Sequence, residues 1–178
     1  MSIVIRAALP GDFPEICALN LAEVQHTSAM DVRRLTDLDA LSCYHRVACL
    51  DGVVAAFLLA ICSGALYKNE NFEWFAKRYP RFMYVDRIVV SASARGQRLG
   101  SILYEDLFRQ AKLGGFPVIT CEYNLAPPNQ ASKLFHDKFG FEEQGSQWVA
   151  NGMKRVSLQA ASMERPVLPK ERGRDIEG

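Results

Sequence analysis

Apolar and polar positions fall along the chain in blocks whose period changes. Residues 2–9, SIVIRAAL, form a short apolar run that predicts a first strand. In residues 10–24, Ile16, Leu19 and Val24 recur at roughly helical spacing behind a Gly11-Asp12 start, which predicts a helix. Residues 31–43 predict a second, shorter helix. The runs 44–50 and 53–62 flank Asp51-Gly52, a turn signal that predicts a hairpin because glycine accepts positive φ. Residues 63–80 are polar and aromatic, long for a hairpin loop, and carry no predicted element. A strand over 81–92 follows, then a loop. Leu99, Leu103, Leu107 and Ala111 then step by four, as on one face of a helix that Gly114-Gly115 can stop. Residues 116–125 predict a strand, 129–140 a helix, and 141–160 two strands around Asn151-Gly152. The order β-α-α-β-β-β-α-β-α-β-β mixes hairpins with crossovers, so the expected fold is a single-domain α/β protein with a sheet of mixed direction.

Composition narrows the function classes. The chain has 178 residues, suited to one domain, and 49% are hydrophobic, enough for one core. A formal net charge of +1 argues against a nucleic-acid wrapper or a polybasic membrane binder. The longest apolar run, 53–62, is too short to span a bilayer, and residues 1–15 do not read as a signal peptide. Cys17, Cys43, Cys49, Cys62 and Cys121 are odd in number and scattered without a C-x-x-C pair. They are expected to be reduced core thiols in a cytoplasmic protein. His26, His45 and His136 are scattered too, so no metal site is expected. Charge, proline and glycine dominate the end of the chain. The expected domain is therefore 1–160, with a mobile tail over 161–178.

The stretch ARGQRLGS, 94–101, joins a predicted strand to a predicted helix. A helix start offers free N–H groups and the positive end of a dipole, which suits a phosphate. Gly96 and Gly100 keep side chains out of that approach, and Arg95 and Arg98 can add charge at its rim. No G-x-G-x-x-G follows the first strand, and no GK[ST] follows these glycines, so neither a Rossmann site nor a P-loop fits. Asp86 and Glu122 are acids inside apolar strands, costly unless paired or used. For Asp86 the plain alternative is an ion pair with Arg87 or Arg46.

This loop, the element order and the downstream N-x-x-S-x-x-x-H-x-x-x-GF pattern together resemble the GNAT superfamily of N-acetyltransferases, over roughly residues 2–160. YVDRIVV, TCEYNLAPPNQAS and FHDKFGF resemble a bacterial subgroup of predicted acetyltransferases with no known acceptor. Arg95 to Gly100 match the family's [QR]-x-x-G-x-[GA] loop, with Arg98 where glycine is usual. The resemblance implies splayed fourth and fifth strands with the acyl-pantetheine arm of acetyl-CoA between them. It implies that Ile88, Val89 and Val90 line that arm. Arg95, Gly96, Gln97, Arg98, Leu99, Gly100 and Ser101 would hold the pyrophosphate, and Asn129 and Ser132 the pantetheine or 3′-phosphate side. Asn129 reads equally as a helix cap. His136 stands where relatives carry a tyrosine near the sulfur, and reads as an acid for the leaving thiolate or as a plain half-buried histidine. Glu122 and Asp86 are the candidate bases for an amine acceptor.

Glu23, His26, Tyr67, Asn71, Trp74 and Phe75 are the candidate acceptor contacts, although Trp74 and Phe75 also read as a cover for the sheet edge. The implied activity is direct acetyl transfer to a primary amine of a small molecule or protein. The alternative is a non-catalytic acyl-CoA sensor on the same scaffold. The final strand edges and the aromatic insertion leave room for a homodimer.

Overall fold

A computed structural model describes residues 1–164. The elements run β1 (Ile3–Ala7), α1 (Phe13–Ala22), α2 (Val32–Leu41), β2 (Tyr44–Leu50), β3 (Val53–Cys62), α3 (Glu70–Ala76), β4 (Met83–Val90), α4 (Leu99–Leu113), β5 (Val118–Ala126), α5 (Gln130–Lys138), β6 (Glu142–Val149) and β7 (Lys154–Ser162). They form a seven-stranded sheet of order β1-β2-β3-β4-β5-β7-β6. Only β4 and β5 run parallel; the other neighbours are antiparallel.

Strand alternation sends side chains to two cores. On one face Ile16, Leu35 and Leu38 of α1 and α2 meet Phe57, Leu59, Tyr84 and Leu158 of the sheet. On the other, Leu103, Leu107 and Ala111 of α4 meet Leu58, Ile119 and Phe141. The four-residue step expected from the sequence is thus the buried stripe of α4. Each leucine of that stripe contributes about 1.5–3 kcal/mol when fully buried.

The aromatic insertion differs from the expected loop because it contains α3. Asn69 caps that helix, its side chain accepting from the Asn71 and Phe72 amides at 3.0 Å. Phe72 and Phe75 then enter the core beside Phe82 and Tyr84. The cap-plus-aromatic spacing was the available signal. β7 runs two residues past the expected domain boundary at 160, pairing Ser162 with Val118. The expected mobile tail lies mostly outside the described residues.

The cysteine expectation fails in part. Cys43, just before β2, and Cys62, at the end of β3, form a disulfide, while Cys17, Cys49 and Cys121 are free. The antiparallel hairpin brings together two residues that are distant in the sequence pattern. The argument from reduced thiols to a reducing, cytoplasmic compartment loses its basis. Among the described residues no helix is long and apolar enough to cross a membrane.

Candidate active site at the strand splay

β4 and β5 are paired only at Met83–Ile119 and Tyr84–Thr120. Beyond those pairs the strands diverge, although β5 stays paired with β7 along its length. A bulge on β4 sits at the same place. Leu59 of β3 faces Arg87 while Ala60 faces Val85, which leaves Asp86 as the extra residue. The bulge turns Asp86 and Arg87 toward one face in succession, where strict alternation would separate them. Between the diverging strands lies a cavity of about 860 Å³.

Fourteen of the residues singled out in the sequence line this cavity: Glu23, His26, Tyr67, Asn71, Asp86, Ile88, Val89, Val90, Arg95, Gly100, Glu122, Asn129, Ser132 and His136. Gly96, Gln97, Arg98, Leu99 and Ser101 continue from its end, and the Leu99 side chain is buried under α4. Trp74 and Phe75 are not brought to the cavity. Phe75 is fully buried in the core. Trp74 packs on Gly145 of β6, where even a Cβ would come within 2.7 Å of the indole, and Arg78 stacks on its ring at 3.3 Å. Helical spacing turned both aromatics inward to the sheet.

The loop into α4 has the shape an anion needs. Gly96 has φ 83 and Arg98 has φ 60, so the chain turns left-handed before the helix begins. The first amides of α4 then have no intrahelical acceptor. A Cβ at Gly100 would meet Phe135 at 3.4 Å and Val90 at 3.5 Å, so a larger side chain there fills the cavity wall. The cations expected at the rim are already paired, Arg95 with Glu23 and Arg98 with Glu105. The Arg98 pair is exposed on both sides, weak and exchangeable for a phosphate, while Arg95 stays on the more enclosed Glu23. The side chain of Asn129 caps α5, accepting from the Ser132 amide at 3.1 Å, and Asn129 also lines the cavity.

The acids sit at the base of the splay. Tyr84 donates to Glu122 Oε1 at 2.9 Å, and Oε2 is buried without a hydrogen-bond partner. The residue as a whole is only partly covered, but its carboxyl end is sunk in the protein. Burial pushes its pKa up to about 8; Asp86 raises it further, while Tyr84, Asn71 and Arg87 oppose the shift. Asn71 is oriented by Gln147, which donates to its Oδ1 at 2.8 Å. It favours the Glu122 anion without a well-formed bond to Oε2.

Asp86 is held differently. Tyr67 donates to its Oδ1, and Arg87 Nε donates to its Oδ2 at 2.8 Å. Of the two ion-pair partners considered for it, the structure selects Arg87. The same guanidinium donates to Asn20 Oδ1 at 3.0 Å, Ser28 O at 3.2 Å and Ser28 Oγ at 3.0 Å. It ties the β4 bulge to α1 and to the loop that walls the cavity. Burial, with Asp86 beside it, raises the pKa of Tyr67, so its hydroxyl stays a donor.

His136 is 3% exposed. Its Nδ1 donates to the Ser132 carbonyl at 2.7 Å, and its Nε2 accepts from Tyr104 at 2.8 Å. Burial lowers its pKa, against the Ser132 bond that raises it. The ring is therefore neutral with both nitrogens occupied, an arrangement that holds α5 against α4. The sequence reading did not single out Tyr84, Asn124 or Lys154. Tyr84 and Asn124 lie two residues from Asp86 and Glu122 on the same faces, which was the available signal.

Residues 12–141 match the acetyltransferase (GNAT) family model. The chain belongs to the GNAT acetyltransferase family, and it is an acyltransferase. Its fold is shared by an N-acetyltransferase from Staphylococcus aureus, 19% identical, with a TM-score of 0.69 over 92% of this chain and 100% of that one. It is also shared by an acetyltransferase of the GNAT family from Streptococcus pneumoniae, 20% identical, TM-score 0.68, over 90% and 99%. A third is a putative acetyltransferase from Salmonella typhimurium solved with its cofactor acetyl-CoA, 18% identical, TM-score 0.69, over 97% and 100%. No curated protein matches the sequence.

Proposed function

We propose that this GNAT protein moves an acetyl group from acetyl-CoA directly to a primary amine of a small molecule or protein, with Glu122 as the base. The observation that carries the reading is the Glu122 carboxyl. It lies at the closed end of the splay, has one oxygen without a partner, and is tuned by burial to about 8. A sensor that only bound the cofactor would have no use for a buried carboxylate kept in the cavity wall at the cost of its solvation.

Several features fit the cofactor. The free edge of β4 at Ile88, Val89 and Val90 offers backbone groups to the pantetheine amides, as a neighbouring strand would. The turn before α4, with Gly100 at the cavity wall, offers amides to the pyrophosphate. Asn129 and Ser132 close the α5 side. Acetyl-CoA, when bound there, supplies an acyl group activated as a thioester.

Ammonium acceptors with a pKa near 10.4 arrive protonated at pH 7. Glu122 takes one proton from the acceptor nitrogen onto Oε2 while Tyr84 steadies Oε1. A base with a pKa near the working pH balances ionisation against strength. Asp86 is committed to Tyr67 and Arg87, so it tunes Glu122 and shapes the floor of the site rather than taking the proton. His136 has no spare proton aimed at the cavity in this hydrogen-bonding state. The proton for the leaving sulfur then comes from the acceptor nitrogen itself, by way of water.

The test is a melting titration of the purified protein with acetyl-CoA, with NADH and ATP as controls, followed by a screen for amine-dependent release of free CoA. A stabilisation of about 2.7 kcal/mol at hundredfold excess over Kd is expected for acetyl-CoA alone. No shift with acetyl-CoA sinks the reading; a shift without release by any amine favours the sensor.

A further inference from the structure

The acceptor side of the cavity holds a cation that nothing in the described structure neutralises. Lys154, the first residue of β7, is partly buried and lines the cavity. Among the described residues its ammonium has no carboxylate partner, and it donates only to the Thr27 carbonyl at 3.4 Å. The nearby acids are engaged: Glu23 by Arg95, Asp86 by Arg87 and Tyr67. Glu122 is held largely protonated near neutral pH by its burial. Glu70 is left, exposed at the start of α3, beside the exposed and unpaired Lys68.

A second orphan lies between Lys154 and Glu122. Asn124 Nδ2 is a buried donor without a partner, and Asn124 lines the cavity as well. Register fixes the order. Glu122 faces Leu158 and Asn124 faces Val156 across the β5–β7 ladder, and Lys154 is two residues further along β7. Residues 158, 156 and 154 share one face by strand alternation. The wall of the cavity thus holds an unpartnered carboxyl oxygen, an unfilled amide donor and an unpaired cation in a row. At about 3.3 Å per residue, the row spans about 13 Å of backbone.

We infer that the acceptor is an amino-acid-like or short-peptide amine whose carboxylate, several bonds from the reacting nitrogen, is held by Lys154, with an intervening carbonyl on Asn124. The inference rests on the N-acetyltransferase reading and deepens it. A carboxylate directly beside the amine, as in glycine, is too close to reach from Glu122 to Lys154. A bare alkylamine leaves both Lys154 and Asn124 unsatisfied, and a site built to pair a polar group discriminates against a ligand that lacks it.

The experiment measures release of free CoA at saturating acetyl-CoA with glycine, diglycine, triglycine and ω-aminohexanoate, each beside its carboxamide. The longer carboxylates are expected to exceed their carboxamides by about tenfold or more in kcat/KM, the size of one charge-assisted hydrogen bond. Lys154→Met is expected to erase that preference through KM, Lys154→Arg to restore most of it, and both variants to keep the acetyl-CoA melting shift. Equal rates for carboxylate and carboxamide, or a preference that survives in Lys154→Met, would overturn the anion site and leave the acetyltransferase reading standing. Loss of the acetyl-CoA shift in Lys154→Met would assign the cation to the donor and overturn the inference as well. Absence of CoA release with every amine, while acetyl-CoA still binds, would remove the catalytic reading and this inference together.

Discussion

The two ends of the cavity are built from different materials. The end proposed for the acyl donor is mostly backbone: the unpaired edge of β4 past Tyr84 and the left-handed turn at Gly96 and Arg98 that opens α4. Side chains matter there mainly by being small, as at Gly100. The end proposed for the acceptor is side chains throughout: Glu122, Asp86, Tyr67, Asn71, Asn124 and Lys154, drawn from α3, β4, β5, β7 and the loop before α3. A backbone site serves any ligand with phosphates and amides. A side-chain site can be rewritten one residue at a time, so it is where members of one fold come to differ. The difference also predicts how each end fails.

The largest effect is expected at the donor end, from Gly100→Trp. The indole has no room between Phe135 and Val90, so the acetyl-CoA melting shift should vanish. An unchanged shift would mean that the turn before α4 does not hold the cofactor.

At the acceptor end, Glu122→Gln should lower kcat/KM by about 10² or more and leave acetyl-CoA binding intact. Wild-type activity should rise as pH passes through about 8, because the proposed base is ionised Glu122, and the variant should lose that limb. Stability gives a second reading of opposite sign. A carboxyl whose folded pKa is raised favours folding below its unfolded value of about 4.3 and loses that contribution as pH climbs to about 8. Glu122→Gln should therefore gain melting temperature over wild type above pH 8 and none near pH 4. A limb that persists in the variant belongs to the acceptor amine instead.

A smaller effect on turnover but a large one on the fold is expected from Arg87→Met. It strands Asp86, Asn20 and Ser28 at once. The cost is about 3 kcal/mol, a fall in Tm of about 10 °C. The surviving activity should have its pH limb displaced upward, since Arg87 favours the Glu122 anion. A melting temperature within a degree of wild type would mean that the clamp contributes little.

The smallest effect is at the turn before α4. Arg98→Gly relieves a left-handed backbone that costs a side-chain-bearing residue about 1–2 kcal/mol and gives up only an exposed pair with Glu105. Part of the gain is returned as chain entropy, so Tm should rise by about 2 °C in a thermal melt. A loss of stability would show that the Glu105 pair outweighs the strain.

Much of this protein was legible along the chain. Leu99, Leu103, Leu107 and Ala111 declared the buried face of α4. Asp51-Gly52 and Asn151-Gly152 declared two hairpins. The loop over 95–100 declared the glycine-bearing turn into α4, because such a feature is local: one turn and the first amides of one helix. Each of these depends on residues a few positions apart, which is the range over which propensity and periodicity act. The acceptor end was legible only as a set of names. Glu122 and Asp86 stood out as acids in apolar strands, but nothing along the chain separated the desolvated acid from the paired one.

Other assignments waited on contacts between distant segments. Cys43 met Cys62 through a hairpin register. Trp74 and Phe75 turned inward because α3 exists. A one-residue bulge put Asp86 and Arg87 on one face. His136 gave its one ring proton to the Ser132 carbonyl and filled its other nitrogen with the Tyr104 hydroxyl. Sequence by itself determined the elements other than α3, their order and the turn into α4, all products of short-range sterics and hydrogen bonding. Only the tertiary structure decided which carboxyl is desolvated, which cation is unpaired and which ring is tied down. Burial and charge pairing are properties of neighbours in space, and neighbours in space are set by the fold as a whole.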